Sequence, residues 1–482
     1  MRRSVGLWAG LGIVTGVFLV GVSVALWASP PDLLRVGSQY AAKIVCSNTF
    51  IAGRDPEEIL RIDVQAPGHP ILKAIRVRVD REAGEVHANL LGFIGGGLAV
   101  WRPGVGCTTV PDQSLALVKG LQLPPNPPDN RTSEQPWPEG EGLAPNPAVQ
   151  ALLEQDALTG PGMRAVLVVH QGTLIAERYG EGFSVKTPLL GWSMTKTVIA
   201  MLIGRLIQEG RLSLDQTELL SPRTPSDGRE KIPLSSLLSM DSGLHFNEEY
   251  GDVSDVTRML YLEPDMAQFV AAQALDHPVG SVFNYSSGTS VLLTRLWQDR
   301  LGGSALEYPR QALFGPLGLR SAVLETDARG TFVGSSYLYA TGQDWARLGW
   351  LLAQGGRWNG EQLLPEDYVQ WMATPSAASK GEYGQGQVWR WGPQGQTPEG
   401  QNPNLKFVLP DDLFLMRGHD GQTVSIMPSR GLVVVRMGLT PSKLKYQPQP
   451  LVEAILKALP PESGPTPASV EAAVPAAPAS RP

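Results

Sequence analysis

Apolar residues at Met194, Val198, Ile199, Met201, Leu202, Leu206 and Ile207 recur at helical spacing, and Gly210 closes the run. The pattern predicts a helix opening on Ser193. Elsewhere the period is that of a strand. Ala74 to Val79 shows strand-like alternation, and Arg164–His170 and Thr173–Tyr179 flank Gln171-Gly172, a hairpin signal. Leu413 to Arg417, Thr423 to Met427 and Leu432 to Met437 read as three more strands, the last two joined by Pro428-Ser429-Arg430-Gly431. Short helices are predicted around Ala148 to Ala157 and from Leu451 to Leu459, and the stretch from Pro233 to about Ala373 is mainly helical.

Strands therefore lie at both ends of the body with a helical block between them. The expected packing is an α/β (α+β) fold: one antiparallel sheet of early and late strands, flanked by the Ser193 helix and the C-terminal helix, with an inserted, mainly helical subdomain. A cleft between the two would expose the start of the Ser193 helix. An uncharged apolar run from Val5 to Trp27, preceded by Arg2 and Arg3, is long enough to span a bilayer. It predicts one N-terminal transmembrane helix with the body beyond the inner membrane, facing the periplasm. A cleaved signal ending near Ser23-Val24-Ala25 is the competing reading. The expected divisions are 1–28 anchor or signal, 29–122 accessory segment, 123–147 Pro-rich linker, 148–459 main domain, and 460–482 disordered Pro/Ala-rich tail.

Composition narrows the function. The chain has 482 residues, a net charge of -6 and no basic stripe, which argues against nucleic acid as a partner. Cys46 and Cys107 are the two cysteines, both in the accessory segment, and are a disulfide candidate; two buried thiols is the other reading. With scattered histidines and no Cys-x-x-Cys, no metal site is expected.

Candidate chemistry centres on Ser193-Met194-Thr195-Lys196. At i and i+3 on a helix the ammonium reaches the hydroxyl, and the helix N-terminus adds free N–H groups and partial positive charge. An unassisted serine hydroxyl is a poor nucleophile. A second Ser-x-x-Lys, at Ser442 to Lys445, follows Pro441 with no helix opening on it, and reads as solvated loop. Two further motifs accompany the first: Phe283-Asn284-Tyr285-Ser286-Ser287-Gly288 before a helix, and Arg417-Gly418-His419-Asp420-Gly421-Gln422 before a strand. In these three motifs, and in the loops Leu237–Leu244 and Tyr339–Asp344, the chain resembles the serine β-lactamase and penicillin-binding superfamily. The class C-like branch fits best: D-Ala-D-Ala carboxypeptidases, β-lactamase-fold esterases and aminohexanoate-dimer hydrolases. The resemblance covers roughly Pro145 to Leu459.

The resemblance implies a β-lactamase/transpeptidase-like fold and a Ser193 acyl-enzyme, with no cofactor. Lys196 would be the adjacent cation. Tyr285 would relay the proton, and as a base it would need positive charge beside it, from Lys196 and His419. Ser287 would hydrogen-bond near Lys196, and the N–H groups of Ser193 and Gln422, beside Gly421, would form the oxyanion hole. Where β-lactamases carry Lys-Thr-Gly this chain has His419-Asp420-Gly421, which argues against efficient β-lactam hydrolysis. The expected function is cleavage of an amide, or an ester, of a small molecule or short peptide, as in aminohexanoate-dimer hydrolases. An esterase or D-Ala-D-Ala carboxypeptidase is the near alternative, and a cell-wall-peptide-binding protein without turnover the alternative of another class. Tyr383, Trp389 and Trp391 read as core, and His245 and Glu248-Glu249 as loop surface.

Overall fold

The computed structural model describes residues 21, 23–26, 28–220, 227–398 and 400–460. Helix α1 (Asp32–Phe50) packs across a four-stranded antiparallel sheet, β1 (Ile75–Asp80), β2 (Glu85–Leu90), β3 (Ile94–Arg102) and β4 (Gly106–Thr109), in sequential order. Alternation places Val86 and Ala88 of β2 and Ala99 of β3 against Ile44, Val45 and Cys46 of the helix. Cys46 is disulfide-bonded to Cys107, which ties α1 to β4.

The main domain is built on a second antiparallel sheet. β5 (Met163–His170) and β6 (Thr173–Tyr179) form the expected hairpin, with Gln171 at φ +51° and Gly172 at φ +76°, the mirror-image turn that matches strand twist. Helix α2 (Met194–Gln208) follows, then α3 (Ser287–Leu301) within the helical block and α4 (Gly342–Ala353) at its end. β7 (Phe414–Gly418), β8 (Gln422–Met427) and β9 (Leu432–Gly438) return to the sheet, in the order β7-β8-β9-β5-β6, and α5 (Gln449–Ala458) closes the domain. The two faces of β5 separate two cores. Ala165, Leu167 and Val169 join the apolar face of α2, whereas Val166 and Val168 meet Leu451 and Ile455 of α5.

The accessory segment is bolted to this domain. Buried Glu325 accepts hydrogen bonds from Lys43 Nζ at 2.5 Å, Ser47 Oγ at 2.9 Å and the Cys107 N–H at 2.6 Å. The Pro-rich stretch is strapped on as well, through Arg131 to Asp344 and through Arg347 to the carbonyls of Pro138 and Gly140.

One expectation is overturned. Among the described residues no helix is long and apolar enough to cross a membrane, against the expected single-pass inner-membrane placement with a periplasmic body. The long helix at this end, α1, carries Asp32, Arg35 and Lys43 and spends its apolar face on the β1–β4 sheet. The run from Val5 to Trp27 falls mostly outside the described residues, as does the tail beyond 460.

Candidate active site

Ser193 is the N-cap of α2 and is partly exposed. Trp192 before it stands at φ +49°, a conformation that side chains with a Cβ resist. Close backbone packing surrounds this turn. A Cβ on Gly418, at the end of β7, would lie 2.2 Å from the Gly191 carbonyl oxygen. The cap and the edge strand therefore meet backbone to backbone.

One turn along α2, Lys196 is 1% exposed. Its ammonium donates to Ser193 Oγ at 3.2 Å, Ser287 Oγ at 3.0 Å and the Ser335 carbonyl at 3.0 Å, so each proton has an acceptor. A buried ammonium without a counter-charge costs several kcal/mol. The counter-charge is one hydroxyl away: Ser287 Oγ donates to Glu248 Oε1 at 2.6 Å, and the Ser287 N–H to Oε2 at 2.7 Å. Ser287 thus accepts from the cation and donates to the carboxylate, a charge-assisted chain. Burial raises the Glu248 carboxyl above its ordinary 4.5, against the pull of Lys196 and the hydrogen bonds from Ser287.

Glu248 corrects the loop-surface reading. Asn284 brings it in: its Nδ2 donates to the carbonyls of Phe246 at 3.2 Å and Leu244 at 3.4 Å, and its N–H to Met240 at 2.8 Å. The loop from Leu237 and the turn at Phe283 were each legible as motifs. Nothing local signals that one staples the other, because the contact spans about forty residues of chain.

Tyr285 lies two residues before Ser287, itself the first residue of α3, which Ser286 caps. Lys196 Nζ stands 4.8 Å from the Tyr285 ring centroid, a cation–π contact. Trp389 and Tyr383 pack on the same ring at 5.1 and 5.8 Å, so two residues read as core lie against a candidate site residue. Arg417 sits over Trp389 at 4.1 Å. Burial lowers its guanidinium to about 10, with Glu382, Tyr285 and Tyr383 opposing the shift. Arg417 is thus a further cation in this neighbourhood, beside Lys196.

The support residues divide. His419 is half exposed and meets Trp192 at 5.7 Å and Tyr250 at 5.4 Å. Asp420 is at φ +57°, its carboxyl raised by burial and pulled down by His419 and Arg164. Gly421 turns its carbonyl to Arg436 Nη1 at 3.0 Å. The Gln422 side chain donates to the Gly438 carbonyl at 2.5 Å and accepts from its N–H at 2.7 Å. Gly421 and the Gln422 side chain therefore brace the β8–β9 end of the sheet, and of this group His419 reaches the aromatic neighbours of Ser193. Among the described residues no group of His, Cys, Asp and Glu is arranged to hold a metal ion.

The beta-lactamase family model matches residues 151–444, more than half of the chain. The chain belongs to the beta-lactamase family. The matched region contains Ser193, Lys196, Glu248, Tyr285, Ser287 and Ser335, and leaves α1 and β1–β4 outside. Among curated proteins the chain is similar to a 6-aminohexanoate-dimer hydrolase of Paenarthrobacter ureafaciens, 26% identical over 220 residues, 43% of this chain and 56% of that protein. The match thus spans little more than half of the relative's length. A solved structure from Bacteroides dorei, provisionally assigned as a beta-lactamase, superposes with a TM-score of 0.50 at 20% identity, covering 63% of this chain and 95% of that one. That likeness concerns the fold: mixed α/β with antiparallel sheets. Proteins of this beta-lactamase fold are generally hydrolases.

Proposed function

We propose that this beta-lactamase-family protein is a serine hydrolase that cleaves an amide or ester bond of a small molecule or short peptide through a Ser193 acyl-enzyme. One observation carries the reading: a buried lysine, fully hydrogen-bonded, aimed at a half-open serine on a helix N-terminus. Ser193 Oγ bonds to the carbonyl carbon as the bond to the leaving nitrogen or oxygen breaks. Its proton passes through Tyr285 to the leaving group, and water reverses the sequence to release the acid. Lys196 stands over the Tyr285 ring, and Arg417 over the adjoining Trp389. Glu248, acting through Ser287, is a positioning residue that balances and orients Lys196. The N–H of Ser193, the N-cap of α2, is one donor for the oxyanion.

Amide cleavage is favoured by the 6-aminohexanoate-dimer hydrolase similarity, with esters as the second substrate class. His419-Asp420-Gly421 offers no lysine for a β-lactam carboxylate, so lactams are expected to be poor substrates. The test is intact mass after a fluorophosphonate probe, on the wild type and on Ser193→Ala. A single adduct on the wild type that vanishes in the variant supports the reading. No adduct on folded protein would favour a binding protein without turnover.

A further inference from the structure

A cavity of about 290 Å³, at the low end of the range for small-molecule sites, is lined by Trp192, the residue before the candidate nucleophile. One wall is the accessory segment, with Leu33 and Val36 on α1 and Ile71 beyond it. The opposite wall is Trp192, Tyr250 and His419. Those three connect the cavity to the chemistry. Trp192 precedes Ser193 in the chain, and Tyr250 lies two residues beyond Glu248, on the loop whose carboxylate holds Ser287. His419 packs against both rings, at 5.7 and 5.4 Å, and closes that wall.

From this continuity we infer that the accessory segment completes a substrate subsite, which takes an apolar arm, aliphatic or aromatic, attached near the scissile bond. The inference rests on Ser193 being the nucleophile. It concerns a wall that the family match does not include, since that match begins at residue 151. An arm of six carbons buries against Leu33, Val36 and Ile71. The accessory segment is thereby a specificity element as well as a brace.

The experiment measures second-order labelling rates by intact mass, using fluorophosphonates whose alkyl arm runs from methyl through butyl to hexyl. Fluoride leaves as Ser193 Oγ bonds to phosphorus, so turnover of a chosen substrate is not required. Rates are expected to rise roughly fourfold per methylene until the cavity fills. In Leu33→Trp and in Ile71→Trp, which sit on different elements, the hexyl-to-methyl ratio is expected to drop at least tenfold. Ser193-dependent labelling with a flat chain-length series overturns the subsite and leaves the hydrolase reading standing. Labelling that persists in Ser193→Ala, or fails on folded wild type, overturns the hydrolase reading and the subsite with it. If both tryptophan variants fail to fold, the wild-type series alone decides between these outcomes.

Discussion

Lys196 illustrates how a single buried charge is kept useful. Its three protons are satisfied at 3.0 to 3.2 Å, and its charge is answered through Ser287 by Glu248. Lys196→Ala is expected to lower kcat by about 10²–10⁴-fold, the range for loss of a group assisting proton transfer, measured by steady-state hydrolysis of a chromogenic ester. Glu248→Gln keeps an acceptor and loses the charge, and should lower kcat/KM by about 10–100-fold, the equivalent of one charged hydrogen bond. It also has a pH signature. Burial raises the Glu248 carboxyl, so the wild type should lose activity on the acid side at a pH above the ordinary 4.5. The glutamine variant should lack that limb, which a pH profile of kcat/KM reads directly.

At the scale of elements, the site depends on three pieces that are distant in sequence: the start of α2, the start of α3 and the loop that carries Glu248. Asn284 is the joint, since its side chain and N–H together hold the carbonyls of Met240, Leu244 and Phe246. Asn284→Ala should cost about 1–3 kcal/mol in urea unfolding by leaving carbonyls unpartnered. It should also reduce kcat more than KM changes, because the loop loosens on the side of Glu248. An unchanged kcat with lowered stability would assign Asn284 to the fold alone.

The whole molecule is held as one piece by buried polar contacts between the accessory segment, the Pro-rich strap and the main domain. Glu325→Ala should destabilise by about 3–5 kcal/mol, because Lys43 is left buried without its countercharge; urea unfolding of the variant, and of Lys43→Met/Glu325→Met as the compensated pair, checks it. The strap contributes a pH dependence. Hydrogen bonds from Arg131, foremost among the causes, hold the Asp129 carboxyl down to about 2 from its ordinary 3.8. A depressed carboxyl stabilises fully above the ordinary value, and that contribution is lost as pH falls through about 2. Thermal unfolding of Asp129→Asn between pH 5 and pH 2 should show a shallower decline than the wild type.

Much of this was present in the chain as written. The period of Met194 to Ile207 dictated a helix starting at Ser193, and i, i+3 spacing dictated that Lys196 would reach the hydroxyl, because helix geometry is local. The apolar runs in Arg164–His170 and Leu432–Met437 likewise read as strands, and the structure gave their two faces separate cores. Tertiary structure decided what local rules cannot reach. It turned Glu248 from an exposed loop residue into the partner of Ser287, placed Arg417 over the Trp389 ring that packs on Tyr285, and set Gly421 and the Gln422 side chain to bracing the sheet. It also gave the apolar face of α1 a sheet to cover and a cavity wall to form. These outcomes depend on which distant segments share a surface, and on the desolvation of charges that are solvated in any isolated stretch of the chain.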